Sequence, residues 1–263
     1  VWLDAAGRAQ GRYFNSTLTS AFQPVRALDA GHVVGYEGFA RSYSETDDGL
    51  SLWTLLDHAA SDAESVELDR LCRMLHAINF YRQQMTNDAD LYLSVHARLL
   101  TAVDVNHGIA FRRVLDALGL PHDKIVLQLP QVTESQGWLL NEVSDNYRRN
   151  GFRVAVNAAN AGQALGLLDR VQPDIIKVDA REIPNALAVT RLLLRAARPG
   201  VRVIFKRVEN SNTFDILRRA GAATAQVIYA QGFLWDVPQA SVAAADIPGT
   251  SLELLRAVVS DLG

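Results

Sequence analysis

GFRVAVNAANAGQALGLLDRVQPDIIKVD, residues 151–179, is the stretch whose reading decides the fold. It opens on a glycine and runs through a short apolar segment, 152–156 (FRVAV). It then passes a helical pattern over 161–170 and ends in a second apolar segment, 174–178 (DIIKV). Short apolar runs joined by a helix are expected of two parallel strands buried on both faces. The same alternation extends outward. Apolar runs at 91–95, 125–129, 201–205 and 226–229 are separated by helical patterns at 107–119, 133–150, 184–198 and 210–220. Gly119, Gly151 and Gly221 stand where C-terminal helix caps are expected. Two more helical stretches come earlier, 51–60 and 62–85, the second with Val66, Leu71, Met74, Leu75, Ile78 and Tyr81 spaced for one face.

The chain begins differently. Residues 21–27 (AFQPVRA) and 32–40 (HVVGYEGFA) read as strands joined by Leu28-Asp29-Ala30-Gly31, a connection that favours an antiparallel hairpin. Seven or eight strands, each with an alternating helix, predict an α/β fold, a (β/α)8 TIM-type barrel with an irregular start. A doubly wound open sheet is the alternative, but no Gly-rich phosphate turn follows the first strand. Residues 1–17 read as a lead-in and 18–263 as the barrel domain, closed by an amphipathic helix over 248–262.

Composition narrows the function classes. The 263 residues are 49% hydrophobic and 21% charged, which excludes a disordered or low-complexity protein. A formal charge of −3 offers no basic footprint, so no nucleic-acid polymer is expected as a partner. The single cysteine, Cys72, excludes an internal disulfide. No apolar run long enough to span a bilayer is visible, so no membrane contact by this segment and a cytoplasmic location are expected. The chain opens at Val1 rather than Met and reads as part of a longer protein, whose remainder could carry a membrane anchor or attached signalling domains.

In a barrel of this kind, function sits at the carboxyl ends of the strands. Those ends supply Glu37, Arg41, His96, Gln128, Gln131, Asn157, Lys177, Asp179, Lys206, Glu209 and Gln231. Polar groups converging on one mouth favour a pocket for a polar ligand. Only three lysines occur, and two of them, Lys177 and Lys206, fall in this set. They fit an amine nucleophile activated by a neighbouring cation, or fixed positive charge facing a phosphate; solvated strand ends are the plain alternative.

These residues also carry a family resemblance. Phe22-Gln23-Pro24-Val25, followed by Gly35-Tyr36-Glu37-Gly38-Phe39-Ala40-Arg41, resembles the opening of the EAL domain. The resemblance continues through Leu93-Ser94-Val95-His96, Leu127-Gln128-Leu129-Pro130-Gln131, Gly151 to Gly162 and Ile176-Lys177-Val178-Asp179. It closes with Phe205-Lys206-Arg207-Val208-Glu209 and Ala230-Gln231-Gly232-Phe233 ahead of Pro238. It implies a modified (β/α)8 TIM-type barrel with an antiparallel first strand. It also implies hydrolysis of cyclic di-GMP with two Mg²⁺ or Mn²⁺ ions in active members.

The implied metal ligands are mostly replaced. Glu37 stands as in the family, but its Asn ligand is matched to His96, its motif glutamates to Gln128 and Gln131, its paired aspartates to Asn157 and Ala158, and a further glutamate to Lys206. Gln128, Asn157 and Ala158 each lack one negative charge and Lys206 reverses one, a shift of five charge units toward positive. Hard cations need anionic oxygen, so neither a metal, another cofactor nor phosphodiester hydrolysis is expected. Glu37, His96 and Asn157 also fall short of a zinc or iron set.

What remains fits recognition. The resemblance implies a cyclic di-GMP receptor whose ligand-facing residues are Gln23, Glu37, Phe39, Arg41, His96, Asn157, Lys177, Asp179, Lys206, Glu209, Gln231 and Pro238. Arg41 would fork onto a phosphate, and Phe39 would lie against a guanine face. The alternative is a protein-interaction module that has lost the nucleotide, suggested by the Ala-rich stretch 157–165. In the family that loop also makes a dimer contact, so a second copy of the chain is a further partner. Residual phosphodiesterase activity and a lysine-dependent barrel enzyme are the remaining readings. His58, His76 and His107 are expected as surface or packed residues, and Trp53, Trp138 and Trp235 as helix or rim packing.

Overall fold

A computed structural model describes residues 1–29, 31–43, 61–83, 88–102, 107–131 and 137–242. Strands β1 (Trp2–Leu3) and β2 (Ala9–Tyr13) lead into β3 (Ser16–Ala27) and β4 (Val33–Tyr43), which form the expected hairpin, longer at its open end than 21–27 and 32–40. After α1 (Asp62–Tyr81) come β5 (Asp90–Ser94), α2 (Ala97–Ala102), α3 (His107–Ala117), β6 (Ile125–Leu129), α4 (Gly137–Arg149), β7 (Arg153–Ala158) and α5 (Ala161–Arg170). The chain continues through β8 (Ile175–Asp179), a 3₁₀ turn (Ala180–Glu182), α6 (Ala186–Ala197), β9 (Arg202–Lys206), α7 (Ser211–Thr224) and β10 (Tyr229–Ala230).

Strands β3 to β10 close a barrel. Neighbours from β4 to β10 pair in parallel, and β3 pairs antiparallel with both β4 and β10. The TIM-type barrel with an antiparallel first strand is therefore present. Strand alternation divides the core into two shells. Val25, Tyr92, Val126, Ala155, Ile175 and Ile204 meet inside the barrel. The other parity (Leu91, Leu93, Ile125, Leu127, Val154, Val156) packs outward with helical residues such as Leu115, Leu140 and Tyr147.

Helix α1 starts where local chemistry dictates. Ser61 caps it, and the Ser61 and Glu64 side chains bond each other's backbone N–H in a capping box. It ends at Tyr81, short of the expected residue 85. Its inner face is less apolar than periodicity suggested: Asp69, Arg73, His76 and Asn79 are buried beside Leu68, Cys72 and Leu75. His76 is packed, its Nδ1 lying 2.8 Å from Ser20 Oγ, and burial pushes its pKa down to about 3.

Several local expectations need correction. Gly119 and Gly151 adopt the left-handed backbone of caps, but Gly221 lies inside α7 and Ala225 takes the left-handed position. Gly221 instead allows a close approach, since a Cβ there would lie 2.8 Å from Ile228 Cγ1. The expected strand 226–229 is shorter and shifted, running over Tyr229–Ala230. Trp138 is exposed, whereas Trp235 packs edge-on against Phe214. The helices expected at 51–60 and 248–262, with Trp53 and His58, lie outside the described residues, as does the His107 side chain.

Gly232 braces the barrel's last turn. A Cβ there would lie 2.0 Å from the Val208 carbonyl oxygen, while Val208 N donates to Gln231 O at 3.1 Å. Backbone cannot yield as a flexible side chain can, so Gly232→Ala should cost about 1–3 kcal/mol or more. A thermal melt should show a drop of at least about 3 °C; an unchanged melt would contradict this packing.

Candidate functional site

Two residues beyond the apolar layer, toward the carboxyl ends, each strand presents a polar side chain. Tyr92, Val126, Ala155, Ile175 and Ile204 are followed at that spacing by Ser94, Gln128, Asn157, Lys177 and Lys206. Glu37 on β4, its antiparallel partner Gln23 on β3, and Gln231 just past β10 complete a ring. The ring is bonded laterally. Lys177 Nζ lies 2.6 Å from Glu37 Oε2 and donates to Gln231 Oε1 at 3.1 Å. Gln231 Nε2 donates to Gln23 Oε1 (2.9 Å), whose amide donates to the Asp236 carbonyl (2.7 Å). Gln128 Nε2 donates to Glu37 Oε1 (3.0 Å) and reaches Ser94 Oγ (3.3 Å). Lys206 Nζ donates to Asn157 Oδ1 (2.7 Å), and Asn157 Nδ2 to the Leu129 carbonyl (2.8 Å).

Above and around this ring lies a cavity of about 700 Å³, within the range of small-molecule sites. Of the expected residues, Gln23, Glu37, Phe39, His96, Gln128, Gln131, Asn157, Asp179, Lys206, Glu209, Gln231 and Pro238 line it. Lys177 is fully buried beneath it. Arg41 does not line it; its guanidinium is exposed and donates to the Pro238 carbonyl at 2.7 Å.

Two positional expectations change. Ser94, not His96, stands in the polar ring beside Gln128, because β5 ends at Ser94. His96 lies past the strand, its backbone N–H donating to Asp69 Oδ1 at 2.9 Å. Ala158 has outward parity and packs with Ala161 and Ala164 under the helices rather than in the cavity. Sequence reasoning also passed over Phe233, 63% exposed on the rim, and Arg207. Asp179 is held by Arg181 through Nε (3.1 Å) and Nη2 (3.0 Å), and by Arg207 Nη1 (2.9 Å). The adjacent basic pair Lys206-Arg207 at the end of β9 was the available signal for Arg207.

Charges around the cavity are balanced: Glu37, Asp69, Asp179 and Glu209 line it with Arg73, Lys206 and Arg207 above the buried Lys177, while Arg41 and Arg181 lie outside the lining. Burial opposes ionisation of Glu37, but Lys177 beside it and the hydrogen bonds of Lys177, Gln128 and Gln231 outweigh that, and its pKa is lowered. Burial and the nearby Lys177 push Lys206 down to about 8. Burial likewise opposes ionisation of Asp179, and the bonds from Arg181 prevail.

This donor set does not fit a pair of hard divalent cations. Among the described residues no three His, Cys, Asp or Glu side chains group as metal ligands. Glu37, the one carboxylate of the ring, has both oxygens occupied by an ammonium and an amide. A second ammonium, Lys206, projects into the same space.

A family model described as EAL domain matches residues 8–236. A curated, uncharacterised protein of Azorhizobium caulinodans is 25% identical over 251 residues, covering 89% of this chain and 33% of its own length. The Bacillus subtilis YkuI protein, solved with cyclic di-GMP and calcium, superposes with a TM-score of 0.74 at 20% identity, covering 92% of this chain and 60% of that one. Klebsiella pneumoniae BlrP1, as its manganese and cyclic di-GMP complex at pH 9.0, gives 0.70 at 21% identity, covering 88% and 58%. The same protein with FMN and cyclic di-GMP but no metal ions gives 0.65 at 20%, covering 88% and 56%. The chain thus spans a third of the curated relative and about three fifths of these solved chains.

Removing Glu37 strands a buried ammonium. Glu37→Ala should cost about 3–5 kcal/mol in urea unfolding, and the double change Glu37→Leu with Lys177→Met far less. Because the carboxyl pKa is lowered from its ordinary 4.5, its contribution is complete above that value and lost as pH falls through the folded pKa. The gap between wild type and Glu37→Ala should therefore narrow as pH falls below the carboxyl's ordinary 4.5. A pH-independent gap would contradict the ion pair.

Proposed function

The chain belongs to the EAL domain family, and from that premise we propose that it binds cyclic di-GMP without hydrolysing it, as a receptor module that passes occupancy to attached domains. The observation that carries this reading is the ring's donor set: Gln128 and Asn157 are neutral, Glu37 is its one carboxylate, and the ammonium of Lys206 shares the cavity. Two-metal hydrolysis stabilises the attacking and leaving oxygens with cations caged by carboxylates. Here one carboxylate remains in the ring, and an ammonium, Lys206, stands in the same cavity. At an effective dielectric of about 20, unit charges about 4 Å apart interact by about 4 kcal/mol, so a fixed ammonium beside a dication site is strongly adverse.

The same charge favours an anionic ligand. Lys206 offers a fixed cation to a phosphate, and the half-buried Phe39 and exposed Phe233 offer aromatic faces to a purine. Relatives solved with cyclic di-GMP support the ligand class, and BlrP1 solved with it in the absence of metal ions supports metal-free recognition. A second reading, a protein-interaction module without nucleotide, is favoured by the stretch 157–165, where Ala158, Ala161 and Ala164 are absorbed into the helix layer.

Titration calorimetry with cyclic di-GMP in EDTA separates the two: saturable heat is expected, and a flat trace at high micromolar ligand leaves the interaction module. Incubation with Mg²⁺ or Mn²⁺ should yield no linear dinucleotide above a mock preparation; turnover would overturn the inactive reading.

Lys206 sets a pH dependence. Its ammonium, with a free pKa of about 8, should be held protonated by a bound phosphate, so binding takes up a proton near that pH. Affinity should fall about tenfold from pH 7 to pH 9, and Lys206→Met should bind more weakly with a flat profile. A wild-type profile that is itself flat would remove Lys206 from the phosphate contacts.

A further inference from the structure

We infer, resting on the cyclic di-GMP reading of this same cavity, that Arg207 is a specificity-setting phosphate contact: with Lys206 it gives β9 two adjacent fixed cations, matched to a ligand with two phosphodiester groups. Neighbouring residues of a strand point to opposite faces. Lys206 and Arg207 nevertheless both line the cavity. The backbone accounts for this, because Arg207 adopts φ +61°, a left-handed turn immediately after the strand ends. That conformation is unfavourable for a residue with a Cβ and free for glycine.

Local structure gives Arg207 little reason to hold it. Its Nη1 donates to Asp179 Oδ2 at 2.9 Å, but Arg181 already engages both oxygens of that carboxylate. Arg181, on which Glu209 and Glu182 also act, does not line the cavity, whereas Arg207 does and its side chain is 54% exposed. The less engaged of the two guanidinium groups therefore faces the ligand space, on the residue next to Lys206. Asp179 acts as a hinge point that aims Arg207 rather than as a partner that consumes it. A planar guanidinium donates two parallel hydrogen bonds to a phosphate, which an ammonium cannot.

The test pairs Arg207→Gly with Arg207→Ala. Both remove the cation, but only glycine relieves the left-handed backbone. In calorimetry with cyclic di-GMP in EDTA, both variants should lose about tenfold or more in affinity. Without ligand, Arg207→Gly should melt no lower than wild type and about 2 °C or more above Arg207→Ala. Wild-type affinity in Arg207→Gly, with wild type itself binding, overturns this inference alone. A lower unliganded melting temperature for Arg207→Gly assigns the residue a structural role and also overturns it. A flat wild-type titration overturns it together with the receptor reading.

Discussion

A fully buried ammonium inside a barrel must be met by a carboxylate, and Lys177 meets Glu37 at 2.6 Å. Desolvating either charge alone would cost several kcal/mol, so the pair holds only because both are bonded further. Gln231 accepts from Lys177, and Gln128 donates to Glu37. These amides carry the network to Gln23 and Ser94 and so across β10, β3, β5 and β6. The antiparallel β3 is part of this logic, because its register sets Gln23 opposite Glu37. Closure of the barrel and satisfaction of the ion pair are one constraint seen from two sides.

The ring's donor set bears on the chemistry. Glu37 is its one carboxylate, and Lys206 in the cavity is bonded to the neutral Asn157. Its depressed pKa follows from burial and from Lys177 nearby. An ordered cation that needs no metal is well suited to holding an anion and poorly suited to activating water, which is the physical content of the proposed split between recognition and hydrolysis.

Much of this was legible in the sequence. The apolar runs and the hairpin gave the barrel, because parallel strands buried on both faces leave a continuous apolar signature. Most cavity residues could be named from strand ends. What was not legible depended on where a strand stops and which parity it keeps. Ser94 replaces His96 in the ring because β5 ends at residue 94, a boundary that composition does not mark. Ala158 faces the helices by the same parity that turns Asn157 inward. Gly221 looks like a cap but serves a close contact. Arg207 escapes notice because residue type does not announce the left-handed backbone that turns it toward the cavity, and the buried polar face of α1 defeats any reading based on hydrophobic spacing.

The two ends of the barrel interior differ in what their charges face. At the amino end, Asp90 accepts from both Arg153 and Arg202, and Arg202 lies over the Tyr229 ring with 4.8 Å to its centroid. At the carboxyl end, Gln128 Oε1 is buried without a partner, since its amide nitrogen is committed to Glu37 and Ser94. An unmet buried acceptor costs about 1–3 kcal/mol, and it sits in the same layer as the Lys206 ammonium and just below a left-handed arginine. What distinguishes the carboxyl end is that its ammonium and its left-handed arginine both line an open cavity.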